Sequence, residues 1–240
     1  MFRNHTLAAM TPEDMADLAP YLSEVSGVRG EVLNRQGYRV DSLYFPVSAY
    51  LANTVRFKDG QSTLTFVMGS EGVAGLAPFL ADDVSAWGVE VRAPGAMYRL
   101  PASIMRRQME KSPELRRQLM RLSYDYQAQA SYGVGCASLH LATARVATLI
   151  LRSADRLECD VLHLTQEDIA EFLGMQRTTA NAAAKLLKHA GAILYRRGKI
   201  QIASRDALRA ATCECYEATA QMAAMASAGA DRVPELLLAG

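Results

Sequence analysis

Residues Leu164–Ile193 read LTQEDIAEFLGMQRTTANAAAKLLKHAGAI. Thr165 stands as a helix N-cap with Asp168 three residues on, in capping-box position. Ile169, Phe172 and Leu173 then form one apolar face of a short helix. Gly174 ends it where a tight turn needs a residue without a Cβ. A second helix is expected from near Gln176 to about His189, with Ala180, Ala183, Ala184 and Leu187 small or apolar at helical spacing. Two short helices joined by a glycine-bearing turn are a helix-turn-helix, whose first helix braces the second.

The early part of the second helix carries side chains suited to base edges in a major groove. Gln176, Arg177, Thr178 and Asn181 are the candidate base readers. An Arg pairs bidentately with guanine, and a Gln or Asn with adenine. Thr165, Thr179, Lys185 and Lys188 are candidates for the sugar-phosphate backbone. Downstream, Ile193–Ile202 reads ILYRRGKIQI: two short β runs flank a basic turn with a glycine. This is a wing that would lay Arg196, Arg197 and Lys199 along phosphates. From Phe172 through Arg205 there are seven Lys or Arg (177, 185, 188, 196, 197, 199 and 205) and no acid. The chain as a whole carries a formal charge of only +1, so this local excess is the electrostatic footprint of a phosphate-binding face. A merely solvated basic surface is the plainer alternative.

Working upstream, a helix is expected from Leu141 to Leu157, with Val146, Leu149, Ile150 and Leu157 on its apolar face, and Glu158–His163 as a connecting loop. Ser112-Pro113-Glu114 opens a longer helix: Ser as N-cap, Pro in the first turn, an acid at the positive end of the dipole. Leu115, Leu119, Leu122 and Tyr126, continued weakly by Gln129, Gly133 and Ala137, recur four and three residues apart. That stripe either lies on its own domain or forms a dimer seam; the seam is preferred because the helix links two domains. Residues 28 to 100 read as short strands. Ser48–Phe57 and Ser62–Met68 flank an Asp59-Gly60 hairpin turn, and Trp87–Val91 and Ala96–Leu100 flank Pro94-Gly95. This suggests a small barrel or sandwich.

The length of 240 residues allows two cores. No signal peptide or membrane span is recognisable, so a cytoplasmic location is expected, with no membrane partner. The four cysteines, Cys136, Cys159, Cys213 and Cys215, do not make a disulfide framework. Cys213-x-Cys215 has the character of half a metal site, but no second pair stands at ligand spacing, so no metal is expected.

These segments together resemble the Crp/Fnr family over the whole chain. The C-terminal likeness rests on Leu164-Thr165-Gln166-Glu167-Asp168-Ile169-Ala170, Leu173-Gly174, Arg177-Thr178-Thr179, Lys185-Leu186-Leu187 and the Tyr195–Ile200 wing. Leu139-His140 and Cys213-Glu214-Cys215-Tyr216 look like one branch of it. The N-terminal likeness rests on Leu43-Tyr44-Phe45-Pro46, the Asp59-Gly60 hairpin, Gly69-Ser70-Glu71-Gly72 and Gly75-Leu76. The resemblance implies an α+β chain: a β-roll (jelly-roll-like) sensor domain at 1–111, a central dimerisation helix at 112–138, a winged helix-turn-helix at 139–217 and a tail at 218–240. It implies a homodimer on double-stranded DNA with two half-sites, an effector that resets the winged domains, and RNA polymerase as a partner where the protein activates. Glu71, Gly72, Gly75 and Leu76 mark the place of an effector pocket.

Departures from the family pattern narrow this. Its cyclic-nucleotide binders carry an Arg and a Ser or Thr in the phosphate cassette. Residues 80–87 here read LADDVSAW, where Asp82 and Asp83 would repel a cyclic phosphate. Cyclic AMP is therefore not the expected effector. No cysteine precedes residue 136, which removes the oxygen-sensing branch's iron–sulfur cluster, and His5 alone is available for haem in the sensor part. His140, His163 and His189 are expected to be structural or surface residues. Ala182 stands where the type member has a second base-reading Arg, and Thr178 replaces an acid, so the DNA target should differ. No nucleophile–base pair, phosphate loop or metal quartet points to an enzyme. The competing class is a winged-helix protein-interaction module without sequence-specific DNA binding.

Overall fold

The computed structural model describes residues 2–196 and 198–228, with side chains to Met222. It divides into two compact units, the first running to Gln127 and the second from Ala128 to Met222. Among the described residues, no helix is long and apolar enough to cross a membrane.

The first unit opens with α1 (His5–Ala8) and α2 (Pro12–Leu18), neither of which the strand-directed sequence reading identified. Strands β1 (Ser23–Gly27), β2 (Val32–Asn34), β3 (Ser42–Pro46), β4 (Tyr50–Arg56) and β5 (Ser62–Met68) follow. Then come α3 (Leu76–Ala81), β6 (Gly88–Ala93), β7 (Gly95–Pro101) and α4 (Ala102–Lys111). The strands form two antiparallel sheets, ordered β1-β7-β3 and β2-β6-β4-β5. Leu51 and Met68 of one sheet and Met97 of the other belong to one buried cluster, as expected of a sandwich. The anticipated hairpin joins β4 to β5 through Gly60, at φ +85°.

A second cluster gathers Leu7, Leu18, Phe45, Phe79, Leu100 and Met105 beneath the helices. The Asp14 carboxylate, 2% exposed, organises it. It accepts hydrogen bonds from Thr11 Oγ1 (2.8 Å), Gln108 Nε2 (2.9 Å) and Ser112 Oγ (3.0 Å). Each partner offsets the cost of burying that carboxylate. Ser112 Oγ also accepts from the Leu115 N–H at 3.2 Å, starting α5 (Pro113–Leu139) as the Ser-Pro-Glu signal predicted.

Along α5 the structure corrects the dimer-seam reading. Leu115 is 1% and Leu119 0% exposed, both within the first unit's own core, and Leu122 and Tyr126 pack against the same cluster. The Val73 N–H donates to Tyr126 Oη at 2.6 Å. The stripe therefore lies on its own domain, the alternative left open by the spacing, because the sheet unit offers it an apolar bed within the same chain. Met120, Tyr124, Val134 and Leu139 are exposed large apolar residues of α5, at 56%, 69%, 69% and 81%.

The second unit contains the end of α5, then α6 (Ala142–Leu157), β8 (Val161–Leu162), α7 (Gln166–Leu173) and α8 (Arg177–His189). It continues with β9 (Ile193–Arg196), β10 (Lys199–Ile202), α9 (Arg205–Ala210) and α10 (Cys215–Ala228). One core joins Val146, Ile150, Ile169, Ala183, Leu187, Ile193, Ile200 and Leu208. The expected loop at 158–163 contains β8, which pairs with β10 through Leu162 and Ile200. Two residues are too few for alternation to be visible in sequence. Helix α10 passes through the expected tail boundary at residue 218, and residues 229–240 of that tail lie outside the described ones.

If Leu119 is core and not seam, Leu119→Ala should destabilise the first unit by about 2–5 kcal/mol in urea unfolding while leaving the oligomeric state in sedimentation unchanged. A chain of unaltered stability but lower oligomeric state would contradict this.

Candidate nucleic-acid interface

The site is built on the α7–turn–α8 pair. Thr165 caps α7 with both halves of a capping box: the Asp168 N–H donates to Thr165 Oγ1 at 3.0 Å, and the Thr165 N–H donates to Asp168 Oδ2 at 2.8 Å. Gly174, at φ +56°, closes the helix in the left-handed region that glycine adopts without strain. The Arg145 guanidinium of α6 donates to the Leu173 carbonyl, placing a cation at the negative end of α7.

Helix α8 is divided lengthwise. Ala180, Ala183, Ala184 and Leu187 are buried, while Gln176, Arg177, Thr178, Thr179, Ala182, Lys185 and Lys188 are exposed. Small alanines on the buried side let α8 lie close to its neighbours in the core. Gln176 is the N-cap residue but gives no side-chain cap, so the first-turn N–H groups have no cap from it. Such groups, at the positive end of a helix dipole, suit a phosphate.

The wing stands beside this helix pair. Strands β9 and β10 pair antiparallel, with Arg196 opposite Lys199. Both side chains are exposed. Arg197, the third basic residue expected there, lies outside the described residues. Gly198 turns the hairpin at φ +75°, and a Cβ there would sit 3.5 Å from the Thr165 methyl, so the turn lies against the start of α7. The Tyr195 phenol oxygen on β9 accepts from the Gln166 backbone N–H, within electrostatic reach of Asp168 and Arg177; burial, the larger effect, pushes the phenol pKa up. Gln166 Nε2 in turn donates to Asn181 Oδ1 at 2.9 Å. The start of α7, the first turns of α8 and the wing thus form one contiguous surface.

Two of the expected DNA contacts have internal duties. The Thr165 hydroxyl donates to Asp168 Oδ2 at 2.8 Å while it caps α7, so its proton is already engaged. Asn181 is half-buried and its carbonyl oxygen is held by Gln166, which leaves its amide nitrogen, not the bidentate pair, for a base. Of the seven basic residues counted from sequence, Arg205 is committed elsewhere, 2.8 Å from both Asp155 and Asp160. Asp155 also accepts from the Tyr216 hydroxyl at 2.8 Å; burial first and this bond second push the Tyr216 pKa up to about 12. Those acids lie outside the stretch that was counted.

In the first unit, the residues marked as an effector pocket are packed. Gly72, Gly75 and Leu76 are buried, and Glu71 Oε2 accepts from the Gly69 N–H at 3.1 Å. Gly75 is the N-cap of α3 at φ +84°, and a Cβ there would meet Asn34 Nδ2 at 2.6 Å. Asp82 ends α3 and is paired with Arg39 (2.9 Å) and Arg106 (3.0 Å).

Sequence reasoning missed one constellation. Cys136, His140, Cys213 and Cys215 bring their ligand atoms within 4.8 Å of one another. Cys136-x-x-x-His140 at helical i, i+4 spacing was the available signal for the half that complements Cys213-x-Cys215. His163 and His189 are exposed, as expected.

Residues 144–211 match the family model described as a Crp-like helix-turn-helix domain. A relative named as a CRP-like cAMP-activated global transcriptional regulator, from Mycobacterium tuberculosis, is 26% identical over 208 residues, covering 82% of this chain and 91% of its own length. The fold matches that of FixK2 from Bradyrhizobium japonicum with a TM-score of 0.71 at 18% identity, over 80% of this chain and 98% of that one. It also matches a CRP/FNR-family transcriptional regulator from Thermus thermophilus, with a TM-score of 0.61 at 20% identity, over 81% and 98% of the two chains. The sandwich, the long helix and the winged pair thus recur in one set of folds, and residues 144–211 of the chain carry a Crp-like helix-turn-helix domain.

Proposed function

We propose that the chain acts as a homodimer that places α8 of each copy in the major groove of one half-site of a two-half-site operator. The observation that carries this reading is the exposed start of α8 beside the basic wing. In this reading Arg177 is the principal base reader, assisted by Gln176, Thr178 and the Asn181 amide nitrogen. Thr179, Lys185, Lys188, Arg196 and Lys199 hold the phosphates.

The dimer seam is reassigned to the exposed face of α5. Met120, Tyr124 and Val134 fall on one heptad line, with Gln127 and Ser131 at the intervening positions. This apolar face, on a helix whose opposite stripe is already buried, is what a second copy would cover. Two copies would double the phosphate contacts and set the half-site spacing.

The effector of this chain is taken to be something other than cyclic AMP, although the mycobacterial relative is named as cAMP-activated. Asp82 sits in the cassette region in ion pairs with Arg39 and Arg106, and Ser85 Oγ donates to the Trp87 carbonyl at 2.6 Å. The two guanidinium groups are engaged by Asp82 and the serine hydroxyl is turned inward, so groups suited to a cyclic phosphate are already taken up within the chain. Where the protein activates, RNA polymerase is its further partner.

Binding to an operator selected from random DNA should weaken steeply with salt, with log K falling by about 0.9 per neutralised phosphate for each tenfold rise in salt. Arg177→Ala should cost about 1–3 kcal/mol and relax base preference, whereas Lys199→Ala should weaken all sequences alike and lower the salt slope by about one. Salt-insensitive binding, or unchanged selectivity in Arg177→Ala, would favour a protein-interaction module. Tyr124→Asp should convert the dimer to a monomer in analytical ultracentrifugation; an unaltered dimer would remove α5's exposed face as the seam.

A further inference from the structure

We propose that Cys136, His140, Cys213 and Cys215 form a site for one thiophilic divalent metal ion of the zinc type, held tetrahedrally by three thiolates and one imidazole. This inference does not depend on the DNA-binding reading, since all four residues could hold a metal whatever α8 contacts.

The ligands arrive from two places in the second unit. Cys136 lies in the last turn of α5, and the His140 N–H donates to the Cys136 carbonyl at 3.2 Å, so the helical register carries both side chains to one face. Cys213 and Cys215 lie where the chain passes from α9 into α10. Cys136 Sγ is 3.5 Å from Cys213 Sγ, and Cys215 Sγ is 3.5 Å from His140 Nδ1. A tetrahedral zinc ion, with Zn–S of about 2.3 Å and Zn–N of about 2.0–2.1 Å, separates adjacent ligand atoms by about 3.4–3.8 Å. The widest separation of 4.8 Å closes to that range by small side-chain rotations.

The donor set selects the ion class. Three thiolates and an imidazole suit a borderline or soft metal; magnesium and calcium require oxygen ligands. The four atoms also lie too close together to surround the inorganic core of an iron–sulfur cluster, which favours a single ion. The outer partners suit the same role. Thr148 Oγ1 lies 3.5 Å from Cys213 Sγ, where its hydroxyl can donate to a thiolate. Glu214 Oε1 is 4.0 Å from His140 Nε2, so the carboxylate favours the tautomer that carries its proton on Nε2 and leaves Nδ1 for the metal. Cys215 is buried and the other three are partly so.

Coordination would release the thiol protons to solvent and close a long loop. Cys136 and Cys213 are 77 residues apart, and the whole α6-to-α9 segment, including α8, lies between them. Metal occupancy would thereby add to the folding free energy of the unit that carries the DNA-facing helix.

The test uses the full chain, reduced and stripped with chelator. Titration with Co²⁺ should saturate at about one ion per chain, with the intense visible bands of tetrahedral coordination and a near-ultraviolet thiolate charge-transfer band; Zn²⁺ should displace both. X-ray absorption of the zinc form should give three sulfurs at about 2.3 Å and one nitrogen at about 2.0–2.1 Å. Cys213→Ser and His140→Ala should lose the tetrahedral spectrum, and Cys159→Ser, outside the cluster, should keep it. If the first two variants fail to fold, the wild-type spectrum and absorption data still decide. An octahedral cobalt spectrum, a shell without sulfur, or no stoichiometric binding by the reduced chain would overturn the proposal. So would a Cys136–Cys213 disulfide as the sole chemistry of the cluster.

Discussion

The lengthwise division of α8 is the constraint on which the rest depends. Its buried side is almost entirely alanine, so the helix can settle onto α6 and α7 without large side chains holding it off. Its other side and its first turn are left to solvent with Gln176, Arg177, Thr178 and Thr179 outward. Around it, every local device serves to keep that turn in place. The capping box at Thr165 and Asp168 fixes the start of α7. Gly174 fixes the turn, and the Gln166–Asn181 bond ties the two helices. The wing then packs its own turn against Thr165. These contacts are short-range and mostly satisfied within the unit, as a preorganised recognition surface requires.

In the first unit, burial assigns the two sides of α5 to different tasks. Leu115, Leu119, Leu122 and Tyr126 complete the core beneath the sheets, and the Tyr126 hydroxyl reaches the backbone at Val73. That hydrogen bond links the helix to the glycine-rich segment at 69–75, which runs between β5 and α3. Met120 and Tyr124, on the other side, are exposed.

Much of this was legible from residues alone, for identifiable reasons. The helix-turn-helix and wing are written in local code: caps, a left-handed glycine and a charge excess within some 40 residues, about the scale on which sequence pattern reports structure. The β4–β5 hairpin was legible for the same reason. The heptad stripe on α5 was visible, but periodicity states only that a face is buried, not by what, and a bed within the same chain covers it in place of a second copy. Arg205 was counted as free charge because its partners, Asp155 and Asp160, lie upstream of the counted stretch. The Cys–His cluster escaped because its two halves are 75 to 77 residues apart, and only the fold joins them. Helices α1 and α2 were passed over because they are short, and α2 and α4 are held by a long-range tie, from Asp14 to Gln108 and Ser112, that sequence pattern does not report.

The central claim, that the start of α8 enters the major groove, is tested most directly by methylation interference on an operator selected with the full chain. Methylation of guanine N7, which lies in the major groove, should block binding in two clusters whose centres are about one helical turn, 10–10.5 base pairs, apart or a multiple of it. Interference confined to minor-groove adenine N3, with guanine N7 methylation tolerated throughout the site, would contradict it.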